Sequence, residues 1–165
     1  MHAPTETAFL TPGDTGAAKN FYSVVAAREA RAEGVPPEVA AAVIYVESRF
    51  RPDRIGGVGE VGLMQVRPRT AALLGFKGAP HELFKPETNI ELGVRYLAKA
   101  WRLANGDLCG ALMRYRPGHS STRMSSLSIE YCRRARVHLA SVGTPLALAP
   151  LPSTAKNGRV RVAAR

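Results

Sequence analysis

Apolar positions along the chain recur with the roughly 3.6-residue period of a helix rather than the two-residue period of a strand, and the breaks between runs are rich in proline and glycine. That pattern predicts an all-α fold. Asp14 or Thr15 can cap a first helix over 16–33, ended by Gly34, and the prolines at 36 and 37 suit the first turn of a second helix reaching Arg49. Pro68 opens a short helix closed by Gly75. Thr88 or Asn89 is placed to cap a run in which Ile90, Val94, Leu97 and Trp101 share one stripe, and Asn105-Gly106 stops it. Asp107 caps a helix to Tyr115, ended by Pro117-Gly118, and a last helix runs from 125 towards Gly143. No internal repeat is present.

One stretch breaks the pattern. "RIGGVGEVGLMQV", Arg54 to Val66, holds a literal G-x-G-x-x-G at Gly57, Gly59 and Gly62. A dinucleotide fingerprint needs a strand directly before its first glycine and a helix opening at its last, within a parallel βαβ unit. Here the polar run "ESRFRPDRI" intervenes and "VGLMQV" opens no helix. The glycines instead describe a flexible loop that tolerates close backbone approach.

The helix before that loop carries the most informative side chain. On a wheel of about 100° per residue, Val39, Val43, Val46 and Phe50 lie together, Ala40 and Ile44 lie beyond them, and Glu47 falls between the two groups. Glu38 and Arg49 project elsewhere. A carboxyl held against apolar walls resists ionisation, which raises its pKa and lets it donate a proton near neutral pH. From helix geometry alone an edge position reaching water or an arginine remains open for Glu47.

Four ordered blocks then carry a family resemblance: "ESRFRPD" (47–53), "GEVGLMQVRPRTAALLG" (59–75), "LFKPETNIELGVRYL" (83–97) and "GDLCGALMRY" (106–115). Together they resemble the catalytic domain of soluble lytic transglycosylases, related in fold to goose-type lysozyme. The resemblance implies a lysozyme-like helical domain with a glycan-binding cleft and Glu47 as the sole catalytic carboxyl. It implies cleavage of the β-1,4 bond between N-acetylmuramic acid (MurNAc) and N-acetylglucosamine (GlcNAc) in peptidoglycan, leaving 1,6-anhydro ends. By position, Ser48 follows the acid, Met64 and Gln65 line the cleft beside the sugar, and Tyr115 places its hydroxyl near Glu47. Gly59 and Gly62 let the loop approach the glycan, Asn89 acts as a helix cap, and Gly93 marks a close helix contact. The asparagine that usually follows the family's tyrosine is Arg116 here, whose guanidinium is suited to a carboxylate of the lactyl-peptide stem. A glycosidase of the ordinary kind needs two carboxylates. Asp53 and Glu60 are the candidates for a second, and turn chemistry explains each of them.

Composition adjusts this picture in three places. The chain of 165 residues suits one domain, expected over 14–143, preceded by a flexible segment at 1–13. Net charge is +10, and residues 101–165 supply +9 of it, with 11 basic side chains against Asp107 and Glu130 alone. Such asymmetry suits an anionic partner, here the wall polymer, and residues 144–165 read as a disordered basic tail. Two cysteines, Cys109 and Cys132, lie on separate predicted helices. Left apart they are buried thiols; joined they would close a loop of about 22 residues worth about 3 kcal/mol, and the extracytoplasmic substrate implied by the resemblance favours the bond.

No metal or cofactor is expected, and no apolar run reaches the roughly 18 residues of a membrane span. No base-reading motif supports a nucleic-acid partner. The expected setting is the periplasm, cell envelope or exterior, although the first residues do not read as a signal peptide. The expected state is a monomer, working alone or within a cell-envelope-spanning machine. A hydrolytic muramidase and a non-catalytic peptidoglycan-binding module are the alternatives.

Overall fold

The computed structural model describes residues 15–153; the expected N-terminal segment at 1–13, the candidate cap Asp14 and the last part of the expected tail lie outside the described residues. Among the described residues six α-helices carry the fold: α1 (Thr15–Glu33), α2 (Pro37–Ser48), α3 (Pro68–Leu73), α4 (Pro86–Leu103), α5 (Leu108–Tyr115) and α6 (Ser126–Ser141). Short 3₁₀ turns cover Pro80–Phe84 and Pro145–Leu148. Among the described residues the extended backbone amounts to two isolated antiparallel bridges, Ile55 with Val61 and Val61 with Val66.

α2 is the centre. Val39, Ala40, Ala42, Val43 and Ile44 are fully buried, because α1 packs on one side of this helix and α6 on another. α4 lies against α1 and α5, and α5 against α6. Ile90, Val94 and Leu97 enter the same core, with Trp101 only partly buried at the end of its stripe. A helix surrounded in this way presents few positions to water, so a polar side chain on it either finds a partner or faces a cavity.

Local chemistry sets the ends. Asp107 accepts the Gly110 N–H at 2.7 Å to start α5, and Ser125 accepts the Ser128 N–H at 3.1 Å to start α6. α4 departs from expectation, since it begins at Pro86 with no side-chain cap at Lys85. Proline at the first helical position fixes φ for the first turn and removes one of its unpaired N–H groups, and Asn89 sits inside the helix with its amide used elsewhere.

Cys109 of α5 and Cys132 of α6 form a disulfide, with 5.4 Å between their α-carbons. The expected disordered tail needs correction over 144–153. Thr144 donates to Glu38 at 3.1 Å, the Arg136 Nε donates to the Ala147 carbonyl at 2.8 Å, and Leu146 and Leu151 pack on the core. Apolar residues among the prolines of "TPLALAPLP" give this stretch enough surface to dock, which its prolines and the basic residues after it concealed.

Candidate active site

α2 delivers Glu47 in its last turn, and the chain then reverses through two consecutive left-handed residues, Arg49 (φ 55°) and Phe50 (φ 60°). Neither is glycine, so the turn carries a cost of about 1 to 2 kcal/mol per residue. Packing offsets it: the Arg49 guanidinium lies 4.3 Å from the centre of the Tyr45 ring and donates to the Tyr45 hydroxyl at 2.6 Å, while Phe50 rests near His138 with ring centres 5.9 Å apart. This reversal turns the chain into the loop 54–66, which stands opposite Glu47.

A cleft of about 420 Å³ lies between that loop and the helices α4, α5 and α6, within the size range of small-ligand sites. Glu47 lines it, and the Tyr131 hydroxyl donates to Glu47 Oε1 at 2.9 Å. Burial pushes the Glu47 carboxyl up to about 7. The Tyr131 bond, Arg54 and Arg116 favour its charged form, Glu60 opposes it, and burial prevails. Glu47 thus gains and loses its proton in the neutral range, well above an ordinary carboxyl. Tyr131 and Tyr115 are raised well above 10 by burial first and by the Glu47 charge second, so both remain hydroxyl donors.

Tyr115 also lines the cleft, but its hydroxyl donates to the Met64 carbonyl at 2.7 Å. It therefore ties α5 to the loop. Its ring packs edge-on against Tyr96 at 5.4 Å, and Tyr96 in turn stacks on His119 at 3.8 Å. Tyr96 gives the cleft an aromatic face.

The loop wall is held by amides. Asn89 donates through Nδ2 to the Val61 and Leu83 carbonyls at 2.7 and 2.8 Å, and its Oδ1 accepts the Met64 N–H at 2.8 Å. It is a bolt between α4 and the loop, not the cap that its place in the sequence predicts. Gly62, at φ +77°, lies against this amide: a Cβ there would come within 2.6 Å of Asn89 Nδ2. A Cβ on Gly93 would meet Met64 Cβ and Sδ at 2.6 Å. Gly59, at φ +86°, has open space around it and serves the turn itself. The close approach at Gly62 is thus to the protein's own Asn89, where the sequence predicts approach to a glycan.

Gln65 lines the cleft at φ 49°, and its Nε2 donates to the Arg54 and Gly62 carbonyls at 3.1 and 2.9 Å. Arg116 lines it too. Two expected contacts fall elsewhere. Met64 is fully buried against Gly93 and contributes its backbone, and Ser48 is fully buried with its hydroxyl donating to the Ile44 carbonyl at 3.1 Å. The helix turns the residue after Glu47 by about 100°, into the core instead of the cleft.

Of the two further carboxylates, Asp53 lies outside the cleft lining and Glu60 within it. Burial would raise Glu60, but N–H groups at Glu60 and Val58 and the Arg67 guanidinium, 3.4 Å away, hold it below the usual carboxylate range. The cleft so contains one carboxyl kept near protonation and one kept ionised.

Sequence reasoning missed Tyr131, Tyr96 and the arginines 54, 67 and 134 that share the cleft. For Tyr131 a signal existed. It precedes Cys132, and a disulfide to Cys109 brings that turn of α6 beside the helix of Tyr115. Among the described residues no group of three or more His, Cys, Asp and Glu side chains could hold a metal ion, and no helix is long and apolar enough to cross a membrane.

Fold and site together define an all-α domain with a carboxylic acid at the floor of an arginine-rimmed cleft. Residues 25–128 match the model of the Transglycosylase SLT domain, and the chain belongs to that family. It is 39% identical over 93 residues to endo-type membrane-bound lytic murein transglycosylase A of Klebsiella pneumoniae, covering 50% of this chain and 44% of that one. It is 37% identical over 84 residues to membrane-bound lytic murein transglycosylase C of Actinobacillus pleuropneumoniae, covering 47% and 23%. The chain thus spans less than half the length of these curated relatives. Its fold is shared with an inactive mutant of lytic transglycosylase Slt from Pseudomonas aeruginosa (TM-score 0.63, 24% identity, covering 86% of this chain and 26% of that one). The 70 kDa soluble lytic transglycosylase of Escherichia coli shares it as well (TM-score 0.61, 21% identity, covering 78% and 26%).

Proposed function

We propose that this domain is a peptidoglycan lytic transglycosylase of the cell envelope and that Glu47 is its general acid and base. The single observation behind the reading is a carboxyl at the floor of the cleft, raised to about 7 by burial and aligned by the Tyr131 hydroxyl. Such a group is poised to give and to retake a proton at the same pH. The family and the murein-cleaving relatives support the substrate class, and the names of both relatives support an envelope setting.

In the scheme, Glu47 protonates the oxygen that joins MurNAc C1 to GlcNAc C4. The C1–O bond breaks, GlcNAc leaves with its hydroxyl restored, and positive charge develops at C1. Glu47, now a carboxylate, removes the proton from the C6 hydroxyl of the same MurNAc, and O6 closes on C1 to form the 1,6-anhydro ring. One proton goes out and one returns. Water is not consumed, and the scheme calls on no metal or cofactor.

Glu47→Gln keeps the size of the side chain and removes the transferable proton. Loss of a positioned general acid or base reduces rate by about 10² to 10⁴, and one residue here fills both roles, so the loss should reach or pass the upper figure. Mass spectrometry of digested sacculi should show 1,6-anhydro-muramoyl ends with the parent and none with the variant, while sacculus binding persists. A variant retaining more than about a tenth of the parent rate, a far smaller loss than such groups produce, would remove Glu47 from the role, whereas a parent that cleaves no sacculi would return the domain to the class of binding modules.

One observation favours a second reading. Glu60, ionised and in the same cleft, could support the charge at C1 while water attacks, as in a muramidase. Hydrolysed ends, heavier than anhydro ends by one water, would establish that reading.

A further inference from the structure

We propose that Arg54, Arg116 and Arg134 form an anion subsite beside Glu47 that takes a carboxylate carried by the substituent on the muramoyl sugar. This rests on the transglycosylase reading and specifies which glycans that site prefers. The three guanidiniums come from separate parts of the chain: the loop after α2, the residue following α5, and the middle of α6. All three line the cleft. Arg54 and Arg116 stand close enough to Glu47 to favour its charged form, and Arg134 acts in the same sense on Tyr131, which bonds Glu47.

What distinguishes them from ordinary surface arginines is that none has a carboxylate at ion-pair distance among the described residues. The fourth guanidinium of the cleft, Arg67, is paired with Glu60 at 3.4 Å. The side chains of Arg54, Arg116 and Arg134 make no ion pair or hydrogen bond among the described residues, although elsewhere Arg28, Arg133 and Lys85 each find a neighbouring glutamate. Glu60 is already engaged with Arg67, and burial opposes the charged form of Glu47. Gathering three like charges around one cavity with no carboxylate in contact is unfavourable, and an incoming anion lowers that penalty. Guanidinium, with its planar fork of donors, matches a carboxylate in two-point contact.

The muramoyl substituent can offer that carboxylate in two ways: as the free lactyl group of a peptide-free sugar, or on the stem peptide amide-linked to it. A neutral N-acetylglucosamine chain offers none. The subsite therefore sorts glycans by charge at a point away from the bond being cleaved, and it does so by binding, independently of proton transfer.

The test uses the Glu47→Gln full chain, which cannot turn over, in calorimetric titrations with four oligosaccharides of equal length. These are a peptide-free muramoyl glycan, a peptide-bearing glycan with free carboxylates, the same glycan with every carboxylate amidated, and an N-acetylglucosamine oligomer. At least one carboxylate-bearing ligand should bind about tenfold or more tightly than both neutral ones, about 1.4 kcal/mol, and the preference should weaken as salt is added. Which of the two carries the advantage identifies the lactyl or the stem carboxylate as the source. Arg116→Gln with Arg134→Gln should bring the preference within about twofold, under 0.5 kcal/mol, while the parent's thermal midpoint and its affinity for the neutral oligomer are retained. Equal binding of all four ligands, no measurable binding of either carboxylate ligand, or a preference that survives the double substitution would overturn the proposal. A parent enzyme that leaves no anhydro ends on sacculi would instead defeat the transglycosylase reading, since the carboxylate preference is measured without turnover.

Discussion

The two walls of the cleft are built by opposite means. On one side, loop 54–66 has almost no regular structure: Gly56 N–H meets the Glu60 carbonyl at 2.7 Å, Gly62 N–H meets the Arg54 carbonyl at 2.8 Å, and Val61 and Val66 exchange two bonds of 3.0 Å. The amide side chains of Asn89 and Gln65 add further bonds to it. On the other side, α5 and α6 are regular helices joined by a disulfide, and they present Tyr115 and Tyr131. Tyr115 bridges the walls through the Met64 carbonyl, and Glu47 stands between them. A wall of loop depends on a few buried polar groups whose loss cannot be repaired by packing. A wall of helices depends on apolar surface and a covalent tie, and tolerates the loss of single polar contacts.

The largest effect should come from removing the bolt of the loop wall. Asn89→Ala leaves the Met64 N–H and the Leu83 carbonyl without their partner, and the Val61 carbonyl with the Val66 N–H alone, at about 1 to 3 kcal/mol for each buried group left unmet. A destabilisation of about 3 to 5 kcal/mol in denaturant unfolding is expected; a change below about 1 kcal/mol would mean that the loop's own backbone bonds suffice. Next is the tie of the helical wall. Replacing Cys109 and Cys132 by alanine, or reducing them, should lower stability by about 3 kcal/mol for a span of this length, with a Tm that responds to reductant in the parent and not in the double variant.

Glu47 supplies a smaller, pH-dependent term. Its folded pKa is raised to about 7 from an ordinary 4.5, so the folded state holds a proton that the unfolded state releases. Its contribution is fully present below about pH 4.5 and is lost as pH rises through about 7, on the order of 3 kcal/mol. Glu47→Gln should therefore flatten this slope and exceed the parent in stability at pH 8 but not at pH 4. In catalysis the same group predicts a fall in kcat/KM above about pH 7, as the acid loses its proton.

The smallest effect sharpens the contrast between the two tyrosines. Tyr131→Phe removes a donor that favours the charged carboxyl, so the fall in kcat/KM above about pH 7 should move to higher pH, with a stability loss of about 1 kcal/mol. Tyr115→Phe frees the Met64 carbonyl on the opposite wall. It should disturb substrate binding while moving the pH profile less. Equal shifts in the two variants would show that the walls act as one unit.

Helical periodicity and the proline and glycine breaks placed all six helices within a few residues, because each signal acts between neighbours in the chain. The wheel that set Glu47 inside an apolar arc worked for the same reason. It reported which way the side chain pointed, and the structure surrounds that direction with a cleft. The expectation for residues 144–153 failed where composition stood in for surface, since proline and basic residues hid a run that docks on α6.

By itself, then, the sequence determined the helical class, the order of the elements and the acid in the last turn of α2. These follow from propensity, period and capping, all local properties. Only the tertiary structure decided what surrounds that acid: Tyr131, 84 residues further on, donates to it, and arginines from three segments share its cleft. It also decided that Asn89 bolts a loop instead of capping a helix, and that Ser48 and Met64 turn into the core. The reason is physical. A pKa and an unpartnered charge depend on distances and burial among residues remote in the chain, and no local period encodes them.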